Sequence, residues 1–194
     1  VDGAALAVLA ANALRAEDPY VVSVSVERDP RWFTRGTSRA PIADTCFNGP
    51  IGIAALPGGR VFYLGRHSGQ CTGFTFSEAD SSDLAGSPDY FMAVLEADGT
   101  TESVLPHPGR NVTWNAPSTS SNGDIYLRGA TLQAGLTLFA GRGDYQPPDE
   151  GDDRSTSVLA RMDDQGNLVW AAAIVGTQVP PVTKIAPGPS GSLF

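Results

Sequence analysis

Tyr20–Glu27 (YVVSVSVE) alternates apolar and polar residues, the two-residue period of a strand with one buried face. Short apolar runs then recur in pairs, each pair joined by a glycine turn. Gly52–Ala55 and Arg60–Leu64 flank Pro57-Gly58-Gly59, and Phe91–Leu95 and Thr101–Leu105 flank Asp98-Gly99. Asn111–Asn115 and Asp124–Arg128 flank Asn122-Gly123, and Val158–Met162 and Asn167–Ala172 flank Gln165-Gly166. Asp-Gly and Asn-Gly supply the positive φ that tight hairpin turns need, so each pair predicts an antiparallel hairpin. Arg31–Thr34 is a further return strand, after the Asp29-Pro30 turn. The one stretch with a helical alternative is Ala4–Leu14 (AALAVLAANAL), read as a buried strand or short helix. It is too short to span a bilayer and lacks the basic residues that precede a signal h-region.

The hairpins recur at a near-constant distance. Gly99 and Gly166 lie 67 residues apart, and Gly59, Gly123 and Gly191 are spaced by 64 and 68. Such a period predicts stacked or radially arranged β units. Three units are read at 20–65, 90–129 and 157–194, each with two hairpins and about four strands. Long inserts separate them at 66–89 and 130–156. The expected fold is all-β, with antiparallel four-stranded units in a single region over 1–194.

Composition supports this reading. The 194 residues include 22 Gly and 15 Pro, with only 18% charged residues, which suits many short strands joined by turns. The net charge of −8 and a single lysine, Lys184, argue against a nucleic-acid partner and against an anionic membrane surface. Cys46 and Cys71 are the only cysteines and bracket one predicted hairpin. They are read as a disulfide, worth roughly 3 kcal/mol in the chain-entropy picture; two buried thiols are the alternative. A disulfide would place the chain outside the reducing cytosol: extracellular, at the cell surface or periplasmic.

Met162-Asp163-Asp164-Gln165-Gly166-Asn167-Leu168-Val169-Trp170 and Asn122-Gly123-Asp124-Ile125-Tyr126-Leu127-Arg128-Gly129 resemble the bacterial β-propeller repeat family. Gly59–Gly65 (GRVFYLG) is a looser match, and Thr100–Ser103 departs by lacking the Asn and Trp. The resemblance covers about two thirds of the chain. It implies blade-like units in which Phe62, Tyr126, Trp170 and Phe194 pack between blades. Closed propellers hold about four to eight blades, and fewer than three units fit here. The expectation is a partial propeller: a fragment with both termini cut, an assembly of copies, or an open array.

No residue constellation carries a reaction. His67 and His107 are the only histidines and have no metal-ligand or catalytic spacing around them. Neither a nucleophile elbow nor a phosphate loop is present. Asp144, Asp149, Glu150, Asp152 and Asp153 form an acidic run that could offer oxygens to Ca²⁺, against the plainer reading of a solvated loop. Glu78, Asp80 and Asp83 form a second, sparser acidic loop. Arg142-Gly143-Asp144 spells an integrin-type tripeptide short enough to arise by chance, and Asn111-Val112-Thr113 is a glycosylation sequon. The expected function is a secreted or surface-exposed structural and binding module. Its partner is expected to be another protein within a larger protein or assembly, with glycan second. The alternatives are a fragment of a propeller-type enzyme and a subunit of an extracellular filament or sheath.

Overall fold

The computed structural model describes residues 5–9, 20–24, 30–35, 37–38, 47–68, 74–75, 89–105, 108–109, 111–131, 135–148, 156–175 and 185–188. Among these the chain is all-β, with antiparallel sheets and one three-residue 3-10 turn at Pro57–Gly59. Sheet I joins β1 (Ala5–Leu9), β2 (Tyr20–Val24) and β3 (Pro30–Arg35) in that order. Within the Ala4–Leu14 run, Ala5–Leu9 is strand, and the remaining residues lie outside the described ones. Two short strands, β4 (Thr37–Ser38) and β7 (Phe74–Thr75), pair with each other.

Sheet II is an antiparallel meander of β5 (Phe47–Ala55), β6 (Val61–Ser68), β8 (Asp89–Leu95) and β9 (Thr101–Leu105). Sheet III has the same order. β10 (Thr113–Trp114) and β11 (Ser118–Thr119) both pair with β12 (Ile125–Thr131), followed by β13 (Thr156–Met162) and β14 (Leu168–Val175). The break between β10 and β11 falls at Asn115–Pro117, where Pro117 has no N–H to add to a ladder. The predicted turns carry positive φ at Gly58, Gly59, Gly99, Gly123 and Gly166, where a side chain would be strained.

The phase of the units differs from the sequence reading of 20–65, 90–129 and 157–194. Hydrogen bonding joins β6 to β8 across 69–88 and β12 to β13 across 132–155. The stretch 90–129 therefore divides between two sheets. Adjacent hairpins look alike in sequence, so periodicity gives the spacing of units and leaves open which hairpins share a sheet. The sheets do not close on themselves among the described residues.

Alternation sets the packing. One face of sheet II offers Val61, Tyr63, Phe91, Ala93 and Leu95, all fully buried, to a cluster that includes Trp32 of β3. The other face offers Phe62, Leu64, Met92 and Val94 to Ile125, Leu127, Val158, Ala160 and Met162 of sheet III. Sheet II is thus covered on one face by sheet III, while Trp32 of sheet I packs on the other. Two strand glycines make room for aromatic rings. A Cβ at Gly65 would collide with Phe91, and one at Gly129 would stand 2.6 Å from Val112 and 2.8 Å from Trp114.

Candidate functional site

Sheet III repeats the face assignment of sheet II. With Gly123 placed on Gly59 and Gly166 on Gly99, Ile125, Leu127, Val158, Ala160 and Met162 fall on Val61, Tyr63, Phe91, Ala93 and Leu95. Both sets face the sheet that precedes them along the chain. Tyr126, Arg128, Leu159 and Arg161 correspondingly fall on Phe62, Leu64, Met92 and Val94, the positions with which sheet II meets the following sheet.

The face of sheet III directed away from sheet II is the candidate site. Tyr126, Arg161 and Trp170 are opposite one another across three neighbouring strands. The Tyr126 and Trp170 rings meet edge to face at 6.4 Å. Leu159 and Trp170 are half-buried, Ala172 is exposed, and Ile174 is 38% exposed. Val169, at the irregular step between Arg161 and Met162, is 50% exposed. Arg161 Nη2 donates to Asp124 Oδ2 at 2.9 Å, and Asp124 also accepts from the Ser120 hydroxyl at 3.2 Å. Tyr126 Oη and Arg161 Nε are buried with no hydrogen-bond partner among the described residues. Apolar and aromatic side chains thus line this face beside the Arg161–Asp124 ion pair.

The junction of sheets II and III is braced at its turn end. Arg60 bridges Glu102 at 3.1 Å and Asp164 at 2.6 Å, so one guanidinium ties β9 to the β13–β14 turn. Thr119 Oγ1 donates to the carbonyl of Ala55 at 2.6 Å, and Gly123 sits against Pro57. A Cβ at Gly52 would stand 2.8 Å from Ala116, so the backbones of β5 and the β10–β11 break are in close contact.

The sequence-derived candidates separate. Phe62 is fully buried between sheets II and III. Tyr126 is buried too, but with Trp170 on the far side of sheet III, and Phe194 lies outside the described residues. Cys46 and Cys71 also lie outside them; β5 begins one residue after Cys46 and β6 ends three residues before Cys71. Of the acidic run, Asp144 is described and exposed, and its Oδ1 accepts from the amide of Gly141 at 2.6 Å. Asp149, Glu150, Asp152 and Asp153 lie outside, as do His107 and the Glu78–Asp83 loop. Among the described residues no group of three or more His, Cys, Asp or Glu could hold a metal ion. His67 is in β6, opposite Asn48 and Asp89.

Arg142 gives the Arg-Gly-Asp tripeptide a structural role. Its guanidinium donates to the carbonyl of Gly166 at 2.8 Å, and its own carbonyl accepts from Leu168 at 2.8 Å. Burial of this group lowers its pKa from the ordinary arginine value. The tripeptide is thus held against the β13–β14 turn. Asn111 of the sequon is exposed, with φ of 57°.

Two structural residues escaped the sequence reading. Trp32 docks on the β8–β9 turn, and Trp114 packs edge to face on Phe139 at 5.9 Å. Contacts this distant along the chain leave no local pattern, although an isolated tryptophan in a predicted return strand was a usable signal. No helix among the described residues is long and apolar enough to cross a membrane. No protein-family model and no curated protein matches the chain.

Proposed function

We propose that the chain is a structural and binding module whose sheets are blades of a β-propeller-type stack, acting at the cell surface, outside the cell or in the periplasm. The observation that carries this reading is the outward face of sheet III. It presents Leu159, at the position that Met92 holds in the intersheet contact of sheet II, beside Trp170, Ala172 and Ile174 of β14. A partly exposed apolar and aromatic face of this kind marks a surface for another macromolecule. The matching strand order, turn positions and alternation in sheets II and III support the blade reading. Fold alone does not choose the partner, so the choice of protein rests on the chemistry of this face.

Binding is tested by cross-linking and affinity capture from extracts of the source organism's surface fraction, beside a glycan array. Capture of a defined protein by the native chain, lost in Ile174→Asp, supports the proposal. Unchanged capture by that variant, or none at all, counts against it. Intact mass with and without reductant tests the Cys46–Cys71 bridge and the location it implies. A pair that reacts fully with a thiol reagent before reduction rules out the bridge.

A further inference from the structure

We infer that the segment Leu138–Tyr145 is a guard over the open edge of β14, and that removing it lets β14 pair with the β14 of a second copy of this chain. The guard concerns the edge of sheet III, whereas the binding-module reading concerns its outward face.

A strand at the edge of a sheet offers its unpaired backbone groups to any other strand, unless charge, proline, irregular pairing or a covering loop blunts it. Three edges of sheets II and III carry such a device in their own sequence. β5 contains Pro50, the β10–β11 edge is broken at Pro117, and β9 contains Glu102. The fourth edge is β14, which among the described residues pairs only with β13. Its run Val169–Val175 (VWAAAIV) has no charge, proline or glycine. Uncharged runs of about six or seven residues with β-branched and aromatic side chains are the ones that add strand to strand when an edge is exposed. The irregular step of β14 lies at Leu168–Trp170, which leaves Ala171–Val175 in unbroken register.

The segment Leu138–Tyr145 lies along that edge. The Leu168 amide donates to the Arg142 carbonyl at 2.8 Å, and a Cβ on Gly143 would stand 2.7 Å from the Leu168 Cβ. Further along the strand, burial raises the pKa of the Tyr145 hydroxyl and a bond from the backbone of Ala173 opposes this, so the Ala173 amide is the donor. That amide therefore points away from β13. One segment thus takes an amide near each end of β14. The segment is itself held in place. Leu138 and Tyr145 exchange backbone bonds at 2.8 and 3.0 Å, and the amide of Phe139, a fully buried residue, donates to the Pro108 carbonyl at 2.9 Å.

The experiment is light scattering of the full chain over a concentration series, for the native protein, Tyr145→Ala, and Tyr145→Ala combined with Ala173→Pro. Circular dichroism verifies the fold of each. Proline at 173 removes an amide on the open side only, which an edge strand tolerates. The native chain is expected to keep one mass throughout. Tyr145→Ala is expected to approach twice that mass at roughly 100 µM, and the added proline to restore the native value. A folded Tyr145→Ala with the native mass overturns the inference, as does association that survives Ala173→Pro. Tyr145→Phe removes only the hydroxyl and decides the matter where another variant fails to fold. Its Ala173 amide is expected to exchange several-fold faster than in the native chain, and unchanged exchange overturns the guard. Ile174-dependent capture of another protein is expected to persist in Tyr145→Phe. A failed guard therefore leaves the binding-module reading standing, and a native chain that captures nothing strikes that reading alone.

Discussion

The indole of Trp32 donates from Nε1 to the carbonyl of Ala97 at 2.8 Å, and its ring lies on Gly99 in the same turn. A residue of sheet I thus recognises the hairpin turn of sheet II, across 65 positions of sequence. Gly99 is required twice over. Its φ is +87°, and a Cβ there would stand 2.6 Å from the indole.

Gly99→Ala is therefore expected to destabilise the chain by more than the roughly 1–2 kcal/mol of left-handed strain, because the indole must also move. Trp32→Phe keeps an aromatic ring and loses the hydrogen bond, costing about 1 kcal/mol. In a double-mutant cycle, Gly99→Ala combined with Trp32→Ala should cost less than the sum of the two singles, since the clash is gone. Urea unfolding of the four proteins measures this. Strict additivity would show that the ring does not rest on the turn.

Arg60 joins Glu102 and Asp164 from two sheets while its side chain remains 20% exposed. Solvent screens such pairs, so Arg60→Met is expected to cost about 0.5–1 kcal/mol at low salt. The loss should shrink in high salt, where the native bridges are already weakened. Equal losses at low and high salt would assign the effect to packing of the arginine stem.

Asp98 governs a separate acid window. The Thr100 hydroxyl donates to Asp98 Oδ1 at 2.7 Å and the Thr100 amide at 2.9 Å, holding the carboxylate below its ordinary range. The folded value lies below the unfolded one, so this stabilisation is present above about pH 3.9. It is lost as the pH falls through the folded value. Asp98→Asn should flatten the decline of melting temperature in that acid window and leave the slope near neutrality unchanged. An identical acid profile in the two proteins would contradict the assignment.

Arg142 predicts the fate of the Arg-Gly-Asp tripeptide. Its guanidinium is committed to Gly166, so soluble Arg-Gly-Asp peptide should not compete with any adhesion the chain supports. Arg142→Ala should instead lower stability by about 1–3 kcal/mol, because the β13–β14 turn loses a charged donor. Peptide-sensitive cell adhesion with unchanged stability would reverse this reading.

The hairpins were legible because their signals are local. Asp98-Gly99, Asn122-Gly123 and Gln165-Gly166 each stand between alternating runs, and strands form on both sides of each turn. Thr101–Leu105 and the ends of β8 and β13 fall where the alternation places them. The sheet partners were not legible. Whether β8 continues β6 or opens a new unit depends on the path across 69–88, which carries no periodicity. The same limit hid the candidate site. Phe62 and Tyr126 hold equivalent positions, yet one is enclosed by the next sheet and the other faces away from sheet II. The distinction lies in the neighbouring positions, where Arg128 and Arg161 of sheet III stand in place of Leu64 and Val94 of sheet II.

The central claim is that the outward face of sheet III is a contact surface. Amide hydrogen exchange of β14, read by mass spectrometry in the free chain and in the chain bound to the protein it captures, tests it most directly. The account predicts that Ala172–Val175 become more protected in the complex, and that Ile174→Asp removes the difference. Exchange in β14 that is the same free and bound, in a chain shown to be folded, would contradict it.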